Sequence, residues 1–327
     1  MAIDQTQAPK RRWRDIALMG GLFLLVIGGL SGLAAATGWE ETKAQLAKLQ
    51  VWQGLVLLAL SLVNYGFRGL RWHLFARGLG LKTSVLQDMR HFIGGFAMSV
   101  TPGRLGELIR MRWIRRETGW AVERTAPLVL MDRASDLAVM AIILALGITL
   151  GAGGISYAAP VVILALIGAF VATRPALIAG FAKVTYRLTG RLGRLMARMR
   201  RASRSLSVFS EPKVVIPSML LGFIGWLAEG YAFHFLLATM GSEVDFWMAI
   251  AIFTFSTLAG GLTGAPGGVG GAEAAMVALL SLQGVPLEVS LPATAIIRVT
   301  TLWFAIALGL AVFPIAERMS LRFRDGR

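Results

Sequence analysis

Long apolar runs, 16–36 and 291–314 among them, approach or exceed the roughly 20 residues that a helix needs to cross a bilayer. Within hydrocarbon a helix satisfies its own backbone N–H and C=O groups, so such runs fold as helices. The chain is 56% hydrophobic and 16% charged over 327 residues, with a mean hydropathy of +0.66. A soluble domain of this size has no interior large enough for that apolar surface; a polytopic membrane protein needs none. The expected fold class is therefore all-α and polytopic, one transmembrane domain over residues 1–327.

The net charge of +15 would suit nucleic acid, but its placement argues against that partner. Lys and Arg sit beside the ends of apolar segments, as the positive-inside rule requires. With no cysteine and only His73, His91 and His234, without ligand spacing, neither a metal site nor a cofactor is expected. The basic cluster Lys10, Arg11, Arg12 and Arg14 reads as the flank of a signal anchor, placing the amino terminus in the cytoplasm. From there the expected crossings are about 16–36, 51–67, 126–150, 158–173, 214–240 and 291–314, returning the carboxyl terminus to the cytoplasm. Arg68, Arg71 and Trp72 are expected at the membrane surface, on the basic inner rim that closes the second crossing. Segment 174–213, with ten Lys or Arg and one acidic residue, reads as an amphipathic helix on the cytoplasmic face.

Two stretches do not fit full crossings. Pro102-Gly103-Arg104-Leu105-Gly106-Glu107 follows an apolar stretch, 92–100, that is too short to span and has basic residues on both sides. Pro266-Gly267-Gly268-Val269-Gly270 with Glu273 lies between apolar stretches 247–263 and 272–283 and has no basic rim. After each Pro-Gly an Arg appears within the next apolar run, Arg133 at 31 residues and Arg298 at 32. Each Arg then leads to the same tripeptide, Ala145-Leu146-Gly147 and Ala307-Leu308-Gly309. The ordered set reads as an internal duplication. Repeat one covers about 51–173, the basic linker 174–213, and repeat two about 214–314. Each Pro-Gly segment reads as a re-entrant hairpin, one entered from the cytoplasm and one from outside. About six full crossings and two hairpins then form an inverted repeat, the plan of alternating-access transporters.

The candidate substrate site follows from depth. Half-helix amino termini at mid-membrane suit anions, and Gly103, Gly267, Gly268 and Gly270 would let backbone approach a ligand. Arg104 offers a planar fork for phosphate. A charge at mid-bilayer costs at least about 2.5–3.5 kcal/mol on insertion scales and rarely persists without a partner or a task. Glu107, Asp132, Arg133, Asp136, Glu273 and Arg298 fall in this class; Arg110, also placed in the candidate substrate site, is expected at its cytoplasmic rim. Two accounts stand open: internal pairing of Arg133 with Asp136 or Glu107 and of Arg298 with Glu273, or alternate binding of a phosphate by the two arginines. No hydrolase or transferase constellation and no P-loop is present, so no enzyme activity is expected.

This pattern resembles the lysylphosphatidylglycerol synthase transmembrane family, also called flippase-like domain proteins, which includes the membrane domain of the multiple-peptide-resistance factor. The likeness rests on 64–72, on Pro102 to Glu107 with Arg110, on Asp132-Arg133, on Pro266 to Gly270 with Glu273, and on Arg298. It implies a lipid-handling membrane protein. The chain stops at Arg327 with no soluble aminoacyl-transferase domain, so synthesis of the lysyl-lipid is not expected. The function expected is a bacterial inner-membrane lipid transporter or flippase that moves a polar or phosphate-bearing lipid between leaflets: a phospholipid, a polyprenyl phosphate or a hopanoid-like lipid. The alternative is a non-transporting partner or scaffold for a lipid- or glycan-modifying enzyme.

Overall fold

The computed structural model describes residues 49–99, 106–151 and 211–325, together with 47, 101, 162, 163 and 167. The expected crossing 16–36, most of 158–173, nearly all of the basic linker, and Pro102, Gly103 and Arg104 lie outside these residues. Among the described residues the regular elements are helical and none is a strand. In chain order they are α1 (Val51–Gly78), α2 (Val85–Gly95), α3 (Gly106–Thr118), α4 (Val122–Leu150), α5 (Pro212–Thr239), α6 (Phe246–Leu262), α7 (Gly271–Leu282), α8 (Leu287–Arg298) and α9 (Phe304–Asp325). A 3-10 turn, Phe96–Met98, extends α2, and a π turn, Val299–Trp303, joins α8 to α9.

Local chemistry sets several boundaries. Ser84 caps α2 by accepting from the Gln87 N–H, and the Gln87 amide oxygen accepts from the Ser84 N–H, a capping box written Ser-x-x-Gln. Asp245 accepts from the N–H groups of Trp247 and Met248 and starts α6. Pro212 opens α5 at its first turn, where its missing N–H costs nothing.

Among the described residues three helices are long and apolar enough to cross a membrane: Val122–Leu150, Pro212–Thr239 and the continuous Leu287–Arg322. They match three of the expected crossings. The expected crossing 51–67 is the first part of α1, which runs eleven residues further, to Gly78. The helix did not need to end at Arg68, because Arg68 and Arg71 find carboxylates inside the protein. Burial is reversed relative to a soluble domain: Arg71 is fully enclosed, whereas Leu262 is 79% exposed. Apolar residues outside and ion pairs inside belong to a protein whose solvent is lipid.

The short helices come in pairs. At 1.5 Å per residue, the 11 residues of α2 and 13 of α3 reach only about 16 and 20 Å, and α6 and α7 with 17 and 12 residues about 26 and 18 Å. None spans the roughly 30 Å of hydrocarbon. Within each pair the two helices fold back on one another, α3 on α2 and α7 on α6.

The neighbours of each helix repeat. The two 28-residue helices α1 and α5 lie against each other; α1 touches α2 and α4, as α5 touches α6 and α8. Between halves, α4 lies on α6 and α9 lies on α2. The duplicated Ala-Leu-Gly tripeptides mark these last two contacts. A Cβ on Gly147 would stand 2.6 Å from the Ala251 Cβ of α6, and one on Gly309 would collide with the backbone of Phe96 and Ala97. Each tripeptide glycine therefore lets a long helix of one half approach the first short helix of the other.

Candidate functional site

The turn between α6 and α7 is built from glycines that side chains could not replace. Gly264, Gly267, Gly268 and Gly270 have φ of 69°, 64°, 68° and 86°, in the left-handed region. A Cβ on Gly268 would also meet the Gly260 backbone at 3.0 Å. Glu273, in the first turn of α7, uses both carboxylate oxygens. One accepts the Gly270 N–H at 2.6 Å and the other accepts Arg298 Nε at 2.5 Å. Arg298 Nη2 in turn donates to the Gly267 carbonyl at 2.8 Å. Turn, carboxylate and guanidinium thus close a ring. The ring sits where α8 gives way to the π turn, a local widening frequent at functional sites. Tyr65 of α1 donates its hydroxyl to the Thr301 carbonyl in that turn.

The first half carries the same pair. Arg133 Nε donates to Glu107 Oε1 at 2.5 Å, and Arg133 Nη1 stands 3.8 Å from Asp136 Oδ2. The sequence left pairing and ligand binding both open; in this structure Arg133 and Arg298 are paired, each with the carboxylate of its own half. The halves differ in exposure. Arg133 and Glu107 are 34% and 21% exposed at the side chain, Arg298 and Glu273 only 7% and 12%.

Between α1, α4 and α5 lies a third group. Arg71 Nη2 donates to Asp132 Oδ1 at 2.6 Å and to Asp136 Oδ1 at 2.7 Å. Arg68 Nη2 donates to Asp136 Oδ2 at 2.8 Å, and Trp226 Nε1 to Asp136 Oδ1 at 2.9 Å. The Arg68 guanidinium lies 4.7 Å from the Trp226 ring centroid. Arg110 lies over Phe92 at 4.4 Å and Trp72 at 5.3 Å, with Asp132 3.9 Å from its Nη1. Glycines make room for it: a Cβ on Gly222 would stand 2.8 Å from Arg71 Nη1.

Arg68, Arg71 and Trp72, expected on the basic inner rim of the membrane surface, are buried among helices, where Asp132, Asp136 and aromatic rings supply counter-charge and faces. The signal was present in the sequence. Asn64, Arg68 and Arg71 fall at i, i+4 and i+7, Asp132 and Asp136 at i and i+4, and Gly222, Trp226 and Glu229 at i, i+4 and i+7. Each set lies on one face of its helix.

The interior is rich in donors. Asn64 Nδ2, Arg68 Nε, Arg71 Nε and Nη1, and Arg110 Nε and Nη1 are buried without a hydrogen bond among the described residues. A guanidinium carries five N–H groups and no acceptor, so such a surface favours an anion. The predicted residues therefore divide three ways. Glu107 with Arg133, and Glu273 with Arg298 and Gly267, form the two Arg–Glu pairs. Arg110 and Asp132 join the interior cluster. Gly270 presents its N–H to Glu273, while Gly268 serves close approach of α6.

The family description "Lysylphosphatidylglycerol synthase TM region" matches residues 16–309. A UPF0104 membrane protein of Methanothermobacter thermautotrophicus is 24% identical over 322 residues, covering 90% of this chain and 95% of the relative. The UPF0104 membrane protein PH1989 of Pyrococcus horikoshii is 22% identical, covering 88% and 95%. The match of the twin-turn chain from residue 16 to residue 309 places it in one family: it belongs to the lysylphosphatidylglycerol synthase transmembrane region family of membrane proteins.

Proposed function

We propose that this protein translocates a polar, phosphate-bearing lipid between the leaflets of the bacterial inner membrane. The observation that carries the reading is the repetition of one device. Each half has a pair of helices too short to span, and an Arg–Glu pair binding its second short helix to the long helix that follows. Around the polar interior the helices keep matching neighbours. On this reading the short pairs are re-entrant hairpins in an inverted repeat, about 51–173 and 214–314. The basic linker 174–213 and both termini face the cytoplasm, and the protein is no enzyme.

The exposure difference supports alternating access. Arg133 and Glu107 would belong to the open half and Arg298 and Glu273 to the closed one. The headgroup would enter beside Arg133 and reach the donor-rich surface of Arg68 and Arg110, with acyl chains left in lipid. Opening the second half would then require Arg298 to leave Gly267 or Glu273. The paired arginines thus act as latches as much as ligands.

Proteoliposomes made with host lipid extract test this. Protein-dependent lipid flipping is expected in the wild type and a large loss in Arg298→Ala, with folded yield checked by size exclusion. Equal flipping in both would remove the second turn from the mechanism. A well-folded wild type that flips no lipid would favour the scaffold reading instead.

A further inference from the structure

Five acidic side chains are buried among the described residues: Asp88, Glu117, Asp132, Asp136 and Glu229. Four have a basic partner. Asp88 meets His73, Glu117 meets Arg90 and His91, Asp132 meets Arg71, and Asp136 meets Arg68 and Arg71. Glu229 has no ion pair and no hydrogen bond among them. It nevertheless stands in the middle of α5, 5% exposed, on the face it shares with Gly222 and Trp226.

Its surroundings are distinctive. The charged and titratable groups that face it are Tyr65 and Arg68 from α1, Asp136 from α4 and Arg298 from α8. The remaining neighbour, α6, contains no charged residue. Glu229 therefore feels the cluster of the first half through Arg68 and Asp136, and the latch of the second through Arg298. It is the described carboxylate placed to sense both.

Charge accounting gives it a task. The interior cluster and the first turn hold four cations, Arg68, Arg71, Arg110 and Arg133, against three carboxylates, Glu107, Asp132 and Asp136. Arg298 and Glu273 cancel. With Glu229 ionised the described site is neutral; with Glu229 protonated it carries one positive charge. An unpaired buried carboxylate readily takes a proton, and a donor-rich site with one excess positive charge attracts an anion.

We propose that Glu229 is the coupling site for a proton, and that proton and anionic lipid headgroup cross together, one proton for each negative charge. The Glu229 carboxylate takes up a proton on the side where the site is open and, as the carboxylic acid, releases it on the other side, which restores the carboxylate. No bond to the lipid forms or breaks. This inference rests on the translocase reading and adds its energy source and the charge class of its cargo.

The test uses two independent readouts on the full chain. In proteoliposomes containing a fluorescent anionic phospholipid, an imposed pH gradient should accelerate wild-type flipping severalfold. Glu229→Gln should flip at a rate that no longer responds to the gradient, and Glu229→Asp should respond with a displaced pH midpoint. Infrared difference spectra of the purified protein between alkaline and neutral pH should show a buried carboxyl band that Glu229→Gln lacks. A gradient response that survives in folded Glu229→Gln overturns the proposal, as does a wild-type spectrum without that band. If the band is present but no wild-type flipping occurs, the translocase reading and the coupling drawn from it fail, and Glu229 remains a proton site only.

Discussion

The two halves of this protein hold the same ion pair in different surroundings. In the second half Arg298 is clamped between Glu273 and the Gly267 carbonyl, and Glu273 between Arg298 and the Gly270 N–H. In the first half Arg133 grips Glu107 but leans toward Asp136, and about a third of its side chain is exposed. The pair is thus common to both halves while its burial differs. One pair is closed on its own turn; the other is shared with the interior network.

The largest effect that would break the comparison lies in that network, which the second half lacks. Arg71→Ala would leave Asp132 and Asp136 facing each other in a dry interior with one partner fewer. Removing one member of a buried ion pair typically costs about 3–5 kcal/mol. The expected outcome is loss of folded protein in detergent extracts, read as aggregation on size exclusion. Survival of Arg71→Ala at wild-type yield would mean that this network does not anchor α4 to α1.

A smaller difference should separate the latches themselves. Hydrogen bonds to charged groups contribute about 1.5–3 kcal/mol each when buried, against about 0.2–1 kcal/mol for an exposed pair. Arg298→Ala should therefore lower the thermal midpoint clearly more than Arg133→Ala. Equal shifts would show that the two pairs are energetically alike and that their different exposure carries no consequence.

Accessibility can be measured directly, because the chain contains no cysteine. Glu107→Cys and Glu273→Cys introduce a single thiol at each turn. A membrane-impermeant thiol reagent, applied to open membranes, should label the first several times faster than the second. An added anionic lipid that reverses the order would capture the other stage of the cycle.

Much of this was legible in the sequence, and the reasons differ by element. The second turn could be found because glycine alone takes up positive φ without strain, which left it visible at Gly267, Gly268 and Gly270. The Arg–Glu pairs were legible as one of two accounts, since spacing brings Arg133 near Glu107 without saying whether the two touch. The burial of Arg68 and Arg71 was not legible, because basic residues at the end of an apolar run read as a rim. Only the partners on α4 and α5, far away in sequence, show that the helix continues into the interior. Trp226 and Glu229 carried the same ambiguity, being lone polar residues in a run that local hydropathy treats as uniform.

The smallest effect concerns the wide ends of the two helix pairs. The α2–α3 pair is held there by charge: Glu117 accepts from Arg90 at 2.7 Å and from Gln87, with His91 Nε2 3.1 Å away. The α6–α7 pair is held near its turn by small residues, with Gly260 so close to Ala272 that a Cβ would come within 2.7 Å of the alanine Cβ. Burial pushes Glu117 toward its neutral form, but His91, Gln87 and Arg90 outweigh it and hold the carboxyl below its ordinary value. A depressed carboxylate contributes stability that is present above its unfolded value of about 4.3 and is lost as pH falls through the folded one. Acid below about pH 4 should therefore loosen α2–α3 and leave α6–α7 unchanged, seen as faster amide hydrogen exchange in 85–118 after correction for the intrinsic pH dependence. Glu117→Gln should remove that acid step and bring the first pair to constant, somewhat faster exchange. If both pairs loosen together, the acid step belongs to a group common to them, and the contrast between a charge-held and a contact-held hairpin fails.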